Sequence, residues 1–160
     1  QTMPVRSNRG AAMIGFIIGT FVLTATIFSI IQLLFLWAGQ GAVETAAHFA
    51  ARKFAINART DVRNAKTVAL AEASSLCRNR PGGRWETVAL TSMDFERDGG
   101  NATAAGAIPG DAYRIRLTHG VELIVPWVNR LLFALAPVPK AIIGSRYYLL
   151  LNTTRWATVE

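Results

Sequence analysis

Thirty-three consecutive residues, Ala11 to Val43, carry no charge, and 23 of them are apolar. No other feature constrains the fold so strongly. A membrane-crossing helix needs about 20 apolar residues for a hydrocarbon layer of roughly 30 Å, and 33 helical residues reach about 50 Å. The block is too long for a buried core helix. It is also too long for a secretory signal, whose apolar core is about 7–15 residues. Arg6 and Arg9 supply a basic flank, but the run continues through Ile30, Ile31, Leu33, Leu34, Phe35, Leu36 and Trp37. A retained single-pass anchor follows, with its last turns emerging into water or protein.

That block explains an otherwise misleading composition. The 160 residues are 51% hydrophobic and only 17% charged, yet the remainder is ordinary for a globular chain. All ten acidic residues lie at or after Glu44. Basic Arg6 and Arg9 place the N-terminus in the cytoplasm by the positive-inside rule, and the rest outside it. Cys77 is the sole cysteine, so no disulfide within the chain is available.

Three regions follow. Residues 1–10 form a basic arm. Residues 11–57 read as one long helix without proline, of which about 11–38 span the membrane. Residues 58–160 form an extracytoplasmic α+β domain. Within it, a second helix is expected from Asp61 to Leu76 with Thr60 as N-cap, because Val62, Ala65, Ala69, Ala73 and Leu76 recur at spacings of three and four. A loop from Cys77 to Arg84 carries Arg78, Arg80 and Arg84 around Pro81-Gly82-Gly83. Trp85 to Phe95 reads as a strand, and Arg97 to Asp111 as a glycine-rich loop.

The sharpest strand signal follows. Tyr113, Ile115, Leu117, His119, Val121, Leu123 and Val125 alternate with Arg114, Arg116, Thr118, Gly120, Glu122 and Ile124. Gly120 suggests a bulge, or with His119 a tight turn. Pro126 ends this strand and suits the start of a short helix, Trp127 to Leu135. Ser145 to Val159 reads as a strand pair or one long strand. The expected fold is therefore α+β: a long transmembrane helix, a second helix, and a small antiparallel sheet covered by the extramembrane part of the first.

The sequence offers little to an enzyme. His48 and His119 sit 71 residues apart, and zinc, P-loop, nucleophile-elbow and dinucleotide patterns are missing. No cofactor or metal is expected. Three arginines near Cys77 would lower a thiol pKa, but its place at a helix C-terminus opposes that, which favours a structural cysteine. A net charge of +7 invites nucleic acid, yet the arginines are scattered. The Arg78, Arg80 and Arg84 loop has no interleaved aromatics for base stacking, so nucleic acid is disfavoured. This loop remains a possible basic contact surface for headgroups or another subunit.

The long helix is more informative. Gly15 and Gly19 form a G-x-x-x-G step that lets helix backbones approach closely. Gln32 and Gln40 follow, and Ala42, Ala46 and Ala50 repeat at four-residue spacing. Together they predict a helix that assembles with other helices.

Arg9-Gly10-Ala11-Ala12 entering the apolar run, Ala50-Ala51-Arg52 late in the helix, Tyr113-x-Ile115-x-Leu117, Pro126 before a short apolar helix, and the terminal Thr158-Val159-Glu160 give the chain its family likeness. It resembles pilins and pseudopilins, most of all the TadE-like proteins of tight-adherence pilus systems. The resemblance spans most of the chain and rests on the order and spacing of short motifs. It implies a subunit held in the inner membrane, then incorporated with other pilin-like subunits into an extracellular adhesion or secretion filament. It also implies a prepilin peptidase acting after Gly10, before Ala11. Relatives often carry a Glu five residues into the mature chain; here Gly15 stands in that position. The alternative is a membrane-anchored extracytoplasmic binding module of a secretion or conjugation apparatus, using the glycine-rich loop and the arginine loop.

Overall fold

The computed structural model describes residues 9–79, 85–98 and 107–160. One helix, α1 (Arg9–Asn57), runs unbroken for 49 residues. It is followed by α2 (Val62–Arg78), the one-turn α3 (Trp85–Val88), β1 (Ser92–Arg97), β2 (Ala112–Glu122), α4 (Val128–Leu135), β3 (Lys140–Ile143) and β4 (Arg146–Thr158). The four strands form one antiparallel sheet in the order β1-β2-β4-β3. The class is α+β, with a long apolar N-terminal helix, a second helix and a small antiparallel sheet.

The inward phase of β2 is the one its alternation predicts: Tyr113, Ile115, Leu117, His119 and Val121 are all buried. Val43, Ala46, Ala47, Ala50 and Phe54 of α1 share a core with Tyr113, Ile115 and Leu117, together with Ala65, Ala69 and Ala73 of α2. Small residues at four-residue spacing let backbones approach closely. Phe54 fills the deeper space, with its ring 4.8 Å from Phe95 and 4.9 Å from Tyr113. Truncating such a buried ring to alanine costs about 3–5 kcal/mol.

Several local expectations are corrected. The N-cap of α2 is Asp61, not Thr60: its carboxylate accepts from the Arg63 and Asn64 amides at 2.8 and 3.2 Å. A charged cap there also meets the positive end of the helix dipole. The stretch expected as a strand from Trp85 to Phe95 begins instead as α3, and only Ser92 to Phe95 fall in β1, which runs on to Arg97. Tertiary contacts impose this break. Thr91 Oγ1 lies 2.8 Å from His119 Nδ1, and the Leu90 side chain sits over Gly120.

Gly120 accordingly makes neither a bulge nor a turn. The β2–β4 register is unbroken from Ala112↔Thr158 to Glu122↔Tyr148. A Cβ on Gly120 would come within 2.6 Å of Leu90 Cδ1, so the residue is small to admit a neighbour. At the C-terminal end, β4 is one long strand. Its hairpin partner β3 turns back through Gly144 (φ 62°) and Ser145, a two-residue connection that needs a positive φ.

Candidate functional site

The described residues contain one helix long and apolar enough to cross a membrane, Gly10–Asn57. Its two halves have opposite surroundings. From Val43 onward one broad face is buried in the chain's own core. Before Gln32, side chain after side chain is exposed, including Met13, Phe16, Ile17, Phe21, Leu23, Ile27 and Ile30. Such an apolar surface is far larger than a soluble monomer tolerates.

Gly15 and Gly19 lie in this bare half, and a Cβ on either would meet nothing within 4 Å. At about 100° per residue Gly15 and Gly19 sit roughly 110° and roughly 150° around the helix from the side that carries Phe21, Ala25, Phe28 and Gln32. They therefore face away from the domain. Gly10 and Ala11 are exposed at the helix start.

The other residues expected to mediate assembly are placed differently. Ala42, Ala46 and Ala50 are buried within the subunit, against its own domain. Gln32 is fully buried as well: its Oε1 accepts the Val125 amide at 2.9 Å. Its Nε2 finds no partner among the described residues. A lone polar side chain on an apolar helix looks like an interhelical contact, but here it satisfies a backbone group of the same chain. Gly39 likewise serves the subunit, since a Cβ there would lie 2.8 Å from Val121 Cγ2.

Beyond Val125 the chain does something the sequence does not foretell. Trp127 has φ 72° and ψ −52°, and the Val128 amide donates to the Pro126 carbonyl at 2.9 Å. This is a γ-turn, a rare and strained conformation, and a bulky residue with positive φ costs on the order of 1–3 kcal/mol. The turn throws the indole outward. It is 77% exposed and meets Phe21 of α1 edge-on at 6.3 Å between ring centres. A crevice of about 350 Å³ lies between Phe21, Thr24, Ala25 and Phe28 on one side and Pro126, Trp127 and Val128 on the other.

The remaining chemistry-bearing residues are structural in their surroundings. Cys77 is buried in the core, which pushes its thiol up to about 11, away from reactivity. His119 is 4% exposed, and burial lowers its pKa to about 4. His48 is exposed on α1. No group of three or more His, Cys, Asp or Glu side chains could hold a metal among the described residues. Arg78 is exposed at the end of α2, while Arg80 and Arg84 lie outside the described residues. The expected glycine-rich loop lies largely outside the described residues; at its end Asp111 accepts from the Ile108 amide at 2.9 Å and pairs with Arg97 at 2.8 Å. Both contacts hold its carboxyl below the usual range, the backbone bond first.

Comparison with protein families, curated proteins and solved structures finds no match to this chain.

Proposed function

We propose that this chain is a non-enzymatic, pilin-like structural subunit. Its bare N-terminal helix anchors it in the inner membrane, with the N-terminus cytoplasmic. The same helix then packs among the helices of other subunits in a pilus or a related secretion or adhesion filament. One observation carries the reading: α1 is divided between a half docked on its own sheet and a half with an exposed apolar surface. On that second half, the Gly15-Gly19 step faces away from the domain without a contact of its own. Close backbone approach is what such a step permits, and a lone lipid-facing anchor has no use for it. The family resemblance supports the same reading and adds a prepilin peptidase acting after Gly10 as a processing partner.

Replacing Gly15 and Gly19 by Leu tests it. The double variant is expected to insert in the membrane at the wild-type level but to yield no filaments by electron microscopy of the sheared cell-surface fraction. Normal filaments in that variant would overturn the proposal.

A further inference from the structure

We propose that α4 is a membrane-dipping helix. Its outer face, with Trp127 at its head, is embedded in the bilayer, and the crevice beside Phe21 is filled by a phospholipid acyl chain. The inference rests on α1 crossing a bilayer but not on filament assembly.

Depth is the first argument. A crossing helix commits about 20 residues to the hydrocarbon layer. Every 20-residue window that fits between Gly10 and Ala38 contains all of Phe21 to Phe28, on this approximate length. The α1 wall of the crevice therefore lies within the hydrocarbon wherever the bilayer settles. Pro126, Trp127 and Val128 form the opposite wall and must share that depth.

The chemistry of this segment suits that depth. Trp127, Leu131 and Leu135 follow one another at four-residue spacing and are 77%, 57% and 70% exposed. They form one apolar face that continues the bare apolar surface of α1. Arg130 and Asn129 lie around the helix from it and line a recess with Pro126, Trp127, Ser145 and Tyr147. An apolar face with a cationic flank and a tryptophan at its end is the pattern of helices lying in the membrane interface.

Backbone polarity is the third argument. Unsatisfied amides are excluded from hydrocarbon. Of the amides from Val125 to Arg130, all but that of Trp127 are taken within the chain: Val125 by Gln32, Val128 by the Pro126 carbonyl, Asn129 by the Val125 carbonyl and Arg130 by the Asn129 side chain. Gln32 thereby satisfies one backbone amide where the chain enters this layer. The strained turn at Trp127 holds an indole outward, where water alone would give no return for it.

Two measurements on the full chain in phosphatidylcholine–phosphatidylglycerol vesicles test this. A variant keeping Trp127 as its only tryptophan (Trp37→Phe, Trp85→Phe, Trp156→Phe) is compared with a tryptophan reporter at position 23 (Leu23→Trp, with all four native tryptophans replaced by Phe). In vesicles with brominated acyl chains, emission of both should fall about twofold or more, as for indoles in the acyl region. Quenching of the position-23 reporter without Trp127 would overturn the inference while leaving membrane insertion intact. Failure of both would overturn membrane insertion itself. Quenching of Trp127 that disappears as the protein-to-lipid ratio rises would assign the crevice to a second copy of the chain, and would also overturn it. Independently, Leu131→Cys should react with a membrane-impermeant maleimide at least about tenfold more slowly than Arg116→Cys on the exposed sheet face. Equal rates would overturn the inference even if the single-tryptophan variants fold poorly.

Discussion

His119 illustrates how a residue that invites a functional reading is absorbed by packing. It falls on the inward phase of β2, beneath the turn that carries Thr91, and its ring nitrogen meets the Thr91 hydroxyl. Burial lowers its pKa from 6.5 to about 4, so the folded state keeps it neutral where an unfolded chain would protonate it. The stability this neutral form contributes is complete above pH 6.5 and is lost as pH falls from there toward 4. The loss amounts to up to about 3 kcal/mol. Replacing His119 by Asn should flatten the fall in thermal midpoint between pH 7 and pH 4.5 relative to the parent chain. An unchanged slope would mean that other groups account for the acid sensitivity. Gln32 makes the complementary point. Its presence in an uncharged run was visible in the sequence, but its partner, the amide of a residue 93 positions later, was not.

At the scale of elements, α1 divides into two kinds of small residue that a sequence shows as one seam. Ala46 and Ala50 are buried against the subunit's own core, whereas Gly15 and Gly19 touch nothing within it. Overpacking the first kind should disturb the fold, at about 1–3 kcal/mol. Ala50→Leu is therefore expected to lower the unfolding midpoint of the detergent-solubilised subunit, while Gly15→Leu leaves it in place. Equal midpoints for all three chains would contradict the packing of α1 described above. The same comparison separates folding defects from assembly defects. The long helix and the alternation of β2 were legible because each has one strong period. The strand expected over Trp85 to Phe95 is correct only from Ser92 to Phe95, because Leu90 and Thr91 are held by residues of β2.

For the whole molecule, the important boundary lies inside α1 rather than at its end. Residues 58–160 look like a domain by composition, yet the core extends back along the helix to Val43, with Gly39 already packed on Val121. A chain beginning at Gly39 should fold and show dispersed methyl resonances. A chain beginning at Ala58 should not, since it lacks Val43, Ala46, Ala47, Ala50 and Phe54. A well-folded Ala58 chain would show that the sheet and α2 hold together unaided. The bare half of α1 and the domain are thus mechanically continuous, joined by an unbroken helix.

The sequence alone determined the membrane-length helix, the order of helices before strands, and the inward face of β2. Each is a local pattern of hydrophobicity whose period needs no knowledge of distant residues. Tertiary structure alone decided which small residues face the subunit and which face away, where the Trp85 to Phe95 stretch breaks, and what Gln32 is for. It also decided that Trp127 turns back along α1. These outcomes depend on close approach between residues far apart in the chain, and a local period carries no information about such distances.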